Sequence, residues 1–386
     1  MMEQDHRYLA ITELFLPTKG GTAIWFSEVF RHLGGKGIHI VTADVPGAAE
    51  IDAVHPNTIH RLNLQRVWWL KPESLGMYAR LFFTSLRLAF TNRFEAIHAI
   101  RALPEGLVAW VVARMSFRPV IVYAHGEELT SWGRGAKYQA MRFTLRHADQ
   151  VVANSDNTRD ELLRMGVSAK KITVIYPGVN IHSFRPDLPF DDLREGLGLK
   201  DGQKLVLSVG RLSRRKGFDM VIRSFPKLIE QGIDVHYALI GIGEDIDYLA
   251  GLAAELGINE RVHLLGHVEP EDLPRWYNAC NVFVMPNRDI NGDSEGFGMV
   301  YLEAAACKKP AIAGKAGGTG NAVVDGDTGL RVDGEKLDDI SEALEIILTD
   351  QEFASCLGRQ GYTRAVNEFA WEAVALKTIA LLEGNP

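Results

Sequence analysis

Four short stretches of the chain combine residue types suited to holding a ligand. In LSVGRLSRRKGFDMVIRSF, residues 207–225, Arg211 follows an apolar run and Lys216 stands five residues on, ahead of a helical pattern. Open parallel sheets bind ligands beyond the carboxyl ends of their strands. At such a tip an arginine fork and a lysine point charge suit a diphosphate. A solvated basic turn is the alternative, because Arg214 and Arg215 are there too, and this stretch alone leaves both open.

In PNRDINGDSEGFGMVYLEAAACKKPAIAG, residues 286–314, Glu295-Gly-Phe-Gly298 leads into a helix beginning near Met299, with Glu303 about one turn in. Glycines let a backbone approach a ligand closely, the N–H groups of a helix start offer an anion site, and a carboxylate accepts paired sugar hydroxyls. The plainer alternative makes Glu295 a helix cap and Glu303 an exposed helix residue. The surrounding loop chemistry favours the ligand reading.

Gly20-Gly21 in LPTKGGTAIWFSEVF follow the first strand pattern and precede a helix, where phosphates are often cradled. The stretch is neither GxGxxG nor a GKS/T loop, so nicotinamide dehydrogenase and ATPase chemistry gain no support, and a tight turn explains it as well. His125 in VIVYAHGEEL closes a strand pattern. A histidine there can orient a hydroxyl or meet developing charge, but many such residues only satisfy a backbone carbonyl.

The elements that must position these residues follow from the wider pattern. The chain has 386 residues, 46% hydrophobic and 24% charged, which suggests two domains and excludes a disordered or disulfide-stapled chain. Twelve short strand patterns, mostly continuous apolar runs, alternate with helical segments, so an α/β architecture of parallel sheets covered on both faces is expected. Twelve strands exceed one comfortable open sheet. Residues 183–203 lack a strand pattern and carry prolines, glycines and charges, which places the break there. The expected organisation is a first domain over 1–186, a second over 187–366 and a last helical segment over 367–386, with the two sheets facing a cleft.

Composition narrows the partners. Cys280, Cys307 and Cys356 form no CxxC or zinc-like spacing, so no cofactor and no metal are expected. No run of 18 apolar residues occurs and no signal-peptide pattern opens the sequence, so a cytoplasmic protein is expected. The net charge of −7 argues against nucleic acid, yet residues 1–186 hold 22 Lys and Arg against 16 Asp and Glu. Within them, 61–118 hold nine basic and three acidic residues. Ser74–Arg93 read as a helix with Arg80, Thr84, Arg87 and Thr91 on one face and Leu75, Phe82, Leu86 and Ala89 on another. With Trp68-Trp69 ahead of it, this basic segment could meet an anionic membrane surface, or it is an ordinary core helix with solvated arginines.

The four stretches occur in an order that resembles the retaining glycosyltransferases of the GT-B fold, family four. The resemblance covers nearly the whole chain. The pair Arg211 and Lys216 resembles the family's donor-diphosphate cations, and Glu295 through Glu303 resembles its E-x7-E element. Gly20-Gly21 and His125 resemble its glycine loop and strand-end histidine, and EFAWEAVALKTIALLE resembles its last helix, which crosses back onto the first domain. The resemblance implies two Rossmann-like domains and a nucleotide-diphosphate sugar held mainly by the second. It further implies that Glu303 binds ribose, Arg211 and Lys216 neutralise the departing diphosphate, and Glu295 with the backbone of Phe297, Gly298 and Met299 holds the sugar. His125 would touch the sugar near the reaction centre, Val268 would meet the base, and Gly20 and Gly21 would line the donor. Retention would proceed by front-face attack without metal, as protein cations replace a divalent ion; the nearest look-alike to a DxD motif, Asp289-Ile-Asn291, is not one.

Two departures stand out: Asn321 occupies the place of a usual glutamate after the late glycine pair, and Asn180 replaces an aspartate before the linker. The lengthened loop 287–304 is similar to that of bacterial phosphatidylinositol-mannoside mannosyltransferases. GDP-mannose is therefore the first donor expected and a UDP-sugar the second, with a glycan or lipid-linked acceptor in cell-envelope synthesis, on the inner face of a membrane. A UDP-N-acetylglucosamine 2-epimerase-like isomerase and a non-catalytic sugar-nucleotide-binding module are the alternatives.

Overall fold

The computed structural model describes residues 6–18, 20–65, 73–131 and 135–382. Trp68 and Trp69 lie outside the described residues. Contacts divide the chain into one unit of residues up to Pro177 together with those from Trp371 onward, and a second unit of Gly178–Ala370. The division thus falls before the expected 183–203 region, and the stretch up to 186 joins the second unit.

The apolar runs become buried strands. In the first unit these are β1 (Tyr8–Ile11), β2 (His39–Ala43), β3 (Thr58–Leu62), β4 (Ala96–Ala99), β5 (Val120–Ala124), β6 (Gln150–Ala153) and β7 (Ile172–Val174). They form one sheet in the order β3-β2-β1-β4-β5-β6-β7, parallel throughout. The second unit holds β8 (Lys204–Val209), β9 (Val235–Ile240), β10 (Val262–Gly266), β11 (Val282–Met285), β12 (Ala311–Gly314) and β13 (Gly329–Val332). Their order is β10-β9-β8-β11-β12-β13, again all parallel. The α/β fold with two parallel sheets is as the alternation predicts. The strand the patterns omit is β3, an edge strand of sequence TIHRL whose residues are all half-buried.

Each sheet reverses its strand order once, between β1 and β4 in the first and between β8 and β11 in the second. Such switch points open a crevice beyond the carboxyl ends of the strands. The helix after β8, Phe218–Glu230, shows how the sequence holds that rim in place. It buries Phe218, Val221, Ile222, Phe225 and Leu228 at helical spacing, each contributing roughly 1.5–3 kcal/mol.

Two segments distant in sequence complete the units. Helix Trp371–Leu382 packs on helix Gly21–Leu33, with His32 Nε2 3.6 Å from Glu372. Val179 N–H donates to Phe369 O at 2.8 Å within the second unit. Beside it the Asn180 side chain accepts from the N–H groups of His182 and Ser183, so this asparagine caps the turn locally.

Helix Leu75–Thr91 differs from its expected facing. Its buried stripe is Met77, Leu81, Ser85, Leu88 and Ala89, while Leu75 is exposed and Phe82 and Leu86 are only half-buried. The helical period places Phe83 and Phe90 opposite that stripe, and they are 67% and 65% exposed.

Candidate functional site

At the switch point of the second sheet, the loop after β8 and the loop after β11 are joined by charge. Lys216 Nζ lies 2.5 Å from Glu295 Oε2, and Arg215 Nη1 donates to the same oxygen at 2.9 Å. Arg215 Nε also lies 3.2 Å from Asp293. The three central side chains are largely buried, 12–16% exposed. Burial pushes the Glu295 carboxyl up, but Lys216 and Arg215 outweigh it and hold the pKa below the ordinary carboxylate value. Glu295 is therefore an ionised acceptor at neutral pH.

Backbone geometry explains why these loops approach so closely. Arg288 N–H donates to Arg215 O at 2.9 Å, and its guanidinium pairs with buried Asp219 at 2.9 and 3.0 Å. Gly217 has φ of +75°, and a Cβ there would stand 2.2 Å from Pro286 O, so only glycine fits the crossing. Gly298 has φ of +90° and starts the helix Met299–Ala306. A Cβ on it would press within 2.5 Å of the Tyr301 ring. Phe297 is buried, with its ring 6.0 Å from Phe369. Gly318 N–H donates to Glu295 O at 2.8 Å, which pins the late glycine loop to the same carboxylate residue.

Glu303 has the opposite electrostatics. It accepts from Tyr277 OH at 2.7 Å. Burial pushes its carboxyl up to about 7, against the partial relief of the Tyr277 bond. Glu303 is thus poised to change protonation near neutrality.

The expected cations divide. Lys216 joins Glu295, but Arg211 does not: its side chain is 75% exposed and reaches Glu244 at 3.3 Å. Arg215 takes the inner position. Sequence reasoning set Arg215 aside as part of a basic turn, although its adjacency to Lys216 was the available signal. Tyr277 was missed outright. It lies 26 residues from Glu303 on another helix, Leu273–Ala279, and nothing local marks the pair. Val268 follows the end of β10, and His267 beside it lies 3.6 Å from Glu269. Among the described residues no three His, Cys, Asp or Glu side chains gather to hold a metal ion.

In the first unit His125 closes β5, and its Nε2 lies 2.8 Å from Ile100 O. A carbonyl only accepts, so Nε2 carries the proton and Nδ1 remains the acceptor of the neutral ring. The ring stands edge-on to Trp25 and Phe26, centroids 5.5 and 5.9 Å away. Both aromatics come from helix Gly21–Leu33, which begins at the exposed pair Gly20 and Gly21. One residue beyond Ile100, Arg101 Nη2 donates to Glu13 at 2.8 Å and to Glu105 at 3.1 Å, a cluster sequence reasoning did not single out.

Comparison with known proteins identifies the family and the fold. Residues 19–183 match the model for Glycosyltransferase Family 4 and residues 189–364 that for Glycosyl transferases group 1. A GDP-mannose-dependent alpha-(1-6)-phosphatidylinositol monomannoside mannosyltransferase of Mycolicibacterium smegmatis is 30% identical over 383 residues, 98% of each chain. A GDP-mannose-dependent monoacylated alpha-(1-6)-phosphatidylinositol monomannoside mannosyltransferase of Corynebacterium glutamicum is 30% identical over 392 residues, 100% of each. Among solved structures, Anabaena HepE in complex with UDP superposes with a TM-score of 0.83 at 21% identity, over 98% of this chain and 100% of that one. Sucrose-phosphate synthase from Thermosynechococcus elongatus gives 0.81 at 25% identity, over 98% and 99%. The chain belongs to the group 1, family 4 glycosyltransferases and has their GT-B fold.

Proposed function

We propose that this glycosyltransferase moves a mannosyl group from GDP-mannose to a phosphatidylinositol-mannoside-type glycolipid, with retention of anomeric configuration. The observation that carries the donor and acceptor is the full-length similarity to two mannosyltransferases of that description. The second switch point supplies matching chemistry. Lys216 and Arg215 take up the charge of the departing diphosphate, with Arg211 at the outer edge. Glu303 accepts the ribose hydroxyls once ionised, and Glu295 with the backbone of Phe297, Gly298 and Met299 holds the sugar. Val268 meets the base. In the first unit His125 offers Nδ1 to a sugar hydroxyl, and Gly20 and Gly21 leave room at a helix start.

Retention is assigned to front-face attack. Glu295 is already engaged by two cations, which suits an electrostatic role better than a covalent one. The leaving phosphate oxygen then accepts the acceptor's proton.

The glycolipid acceptor calls for a membrane surface. Phe83 and Phe90 stand exposed seven residues apart on helix Leu75–Thr91, with exposed Arg80 and Arg87 on the same side. Aromatic rings that enter an interface beside arginines that meet anionic headgroups suit peripheral attachment. Among the described residues no helix is long and apolar enough to cross a membrane. Sedimentation with anionic vesicles, lost in Phe83→Ser/Phe90→Ser, is the expected result; no sedimentation with them contradicts attachment, and equal sedimentation with neutral vesicles contradicts the part given to the arginines.

Thermal shift across a panel of GDP- and UDP-sugars tests the donor. GDP-mannose should raise the melting temperature most, and NMR of the product should show an α-linkage. Stabilisation by UDP-sugars alone overturns the donor, and a β-linked product overturns retention.

A further inference from the structure

The switch point of the first sheet carries its own charge cluster, built on the inverse plan. Glu13 follows β1 and Arg101 follows β4, so the two flank the crevice where the strand order reverses. Arg101 Nη2 donates to Glu13 Oε2 at 2.8 Å and to Glu105 Oε1 at 3.1 Å, and its Nε reaches Glu105 Oε1 at 3.2 Å. Glu13 N–H adds a bond to the same Glu105 oxygen at 2.9 Å. Glu105 is fully buried, and its second oxygen, Oε2, has no hydrogen-bond partner among the described residues. Glu13, by contrast, is 35% exposed and Arg101 22%.

We propose that this Glu13–Arg101–Glu105 crevice binds the hydroxyl-rich, uncharged part of the acceptor. The inference rests on the glycosyltransferase reading and adds to it where the acceptor is gripped and by which of its groups. One guanidinium between two carboxylates leaves a net negative charge, and three donors converge on Glu105 Oε1 while Oε2 receives none among the described residues. Such a site has acceptor atoms to spare and takes O–H donors; a phosphate would meet repulsion. The negative balance reaches neighbouring groups. Tyr78, on helix Leu75–Thr91, has its phenol pushed above its ordinary value by burial and by the charges of Glu105 and Glu13. Buried unpaired carboxylate oxygens cost stability and are rare in folded proteins, so one at a switch point points to a function.

The position also fits. His125 donates to Ile100 O, and Ile100 N–H donates to Ile11 O at 3.2 Å, so the ends of β1, β4 and β5 are stitched into one rim. Arg101, fixed by two carboxylates, is a positioning residue that aims Glu13.

Glu13 is the partly exposed member, so Glu13→Gln removes the charge with little threat to folding, and its melting temperature serves as the check. The probes are α-mannosyl-myo-inositol, which is neutral, and inositol 1-phosphate, each titrated against the full chain in the presence of GDP. Glu13→Gln should weaken the neutral probe about tenfold or more, as expected for loss of a hydrogen bond to a charged group. Glu13→Asp should restore part of it, and the glycolipid KM should rise in parallel while the GDP-mannose KM holds. Unchanged binding of the neutral probe shows a purely structural ion-pair network and overturns the proposal. So does a gain confined to inositol 1-phosphate, which would mean that the crevice faces the phosphate. Should the wild type turn over no sugar nucleotide, the glycosyltransferase reading of the donor falls instead, and the probe titration still decides the crevice.

Discussion

Each of the two switch points carries three charged side chains, with the signs in opposite proportion. In the second unit a central carboxylate, Glu295, holds two cations, Lys216 and Arg215. In the first unit a central cation, Arg101, is held by two carboxylates, Glu13 and Glu105. The fold supplies the same crevice twice, and charge differentiates it. Lysine and arginine N–H groups held ready at one suit an anionic diphosphate; spare carboxylate oxygens at the other suit hydroxyls. The positive surplus of the N-terminal half therefore does not mark the crevice there. Part of it lies on the outer face of helix Leu75–Thr91, at Arg80 and Arg87.

The largest effect should come from the cationic crevice. Lys216→Ala is expected to lower transfer activity about 10²–10³-fold, the range seen when one preorganised charge-stabilising donor is removed. Steady-state kinetics checks it, and a loss below threefold would break the asymmetry. Next comes stability at the acidic crevice. Glu105→Ala strips Arg101 and the Glu13 N–H of a buried partner and should cost about 3–5 kcal/mol in urea unfolding.

A third test sharpens the assignment of cations. Arg215 sits inside and Arg211 outside, so Arg215→Ala should weaken GDP binding about tenfold and Arg211→Ala by less. The reverse order would return Arg211 to the diphosphate role that the family resemblance implies.

The smallest effect concerns pH. Glu303 has its carboxyl raised from 4.5 to about 7, so the folded state retains a proton that the unfolded chain releases. Its contribution to stability therefore declines as pH rises from about 4.5 to about 7. Glu295, lowered by its cations, contributes stability above the ordinary carboxylate value and loses it as pH falls through its own. Ribose hydroxyls need the ionised Glu303, so GDP affinity should rise up to about tenfold from pH 6 to 8. Glu303→Gln should flatten that profile.

The parallel α/β fold was legible because short continuous apolar runs alternating with helical patterns suit strands covered on both faces. β3 was not, since an edge strand of Thr, Ile, His, Arg and Leu has no such run. Lys216, Glu295 and Glu303 were legible from local spacing beside glycines. The Glu13–Arg101 pair was not, because its partners are 88 residues apart and meet only through strand order. His125 was legible as a strand-end residue, but which nitrogen carries the proton toward the Ile100 carbonyl is something no motif encodes.

Calorimetric titration of GDP into the wild type, Lys216→Ala and Glu13→Gln tests the inversion most directly. The account predicts that Lys216→Ala weakens GDP about tenfold or more and that Glu13→Gln leaves it within about twofold. Equal losses in both variants would contradict it, because GDP would then draw on both crevices alike.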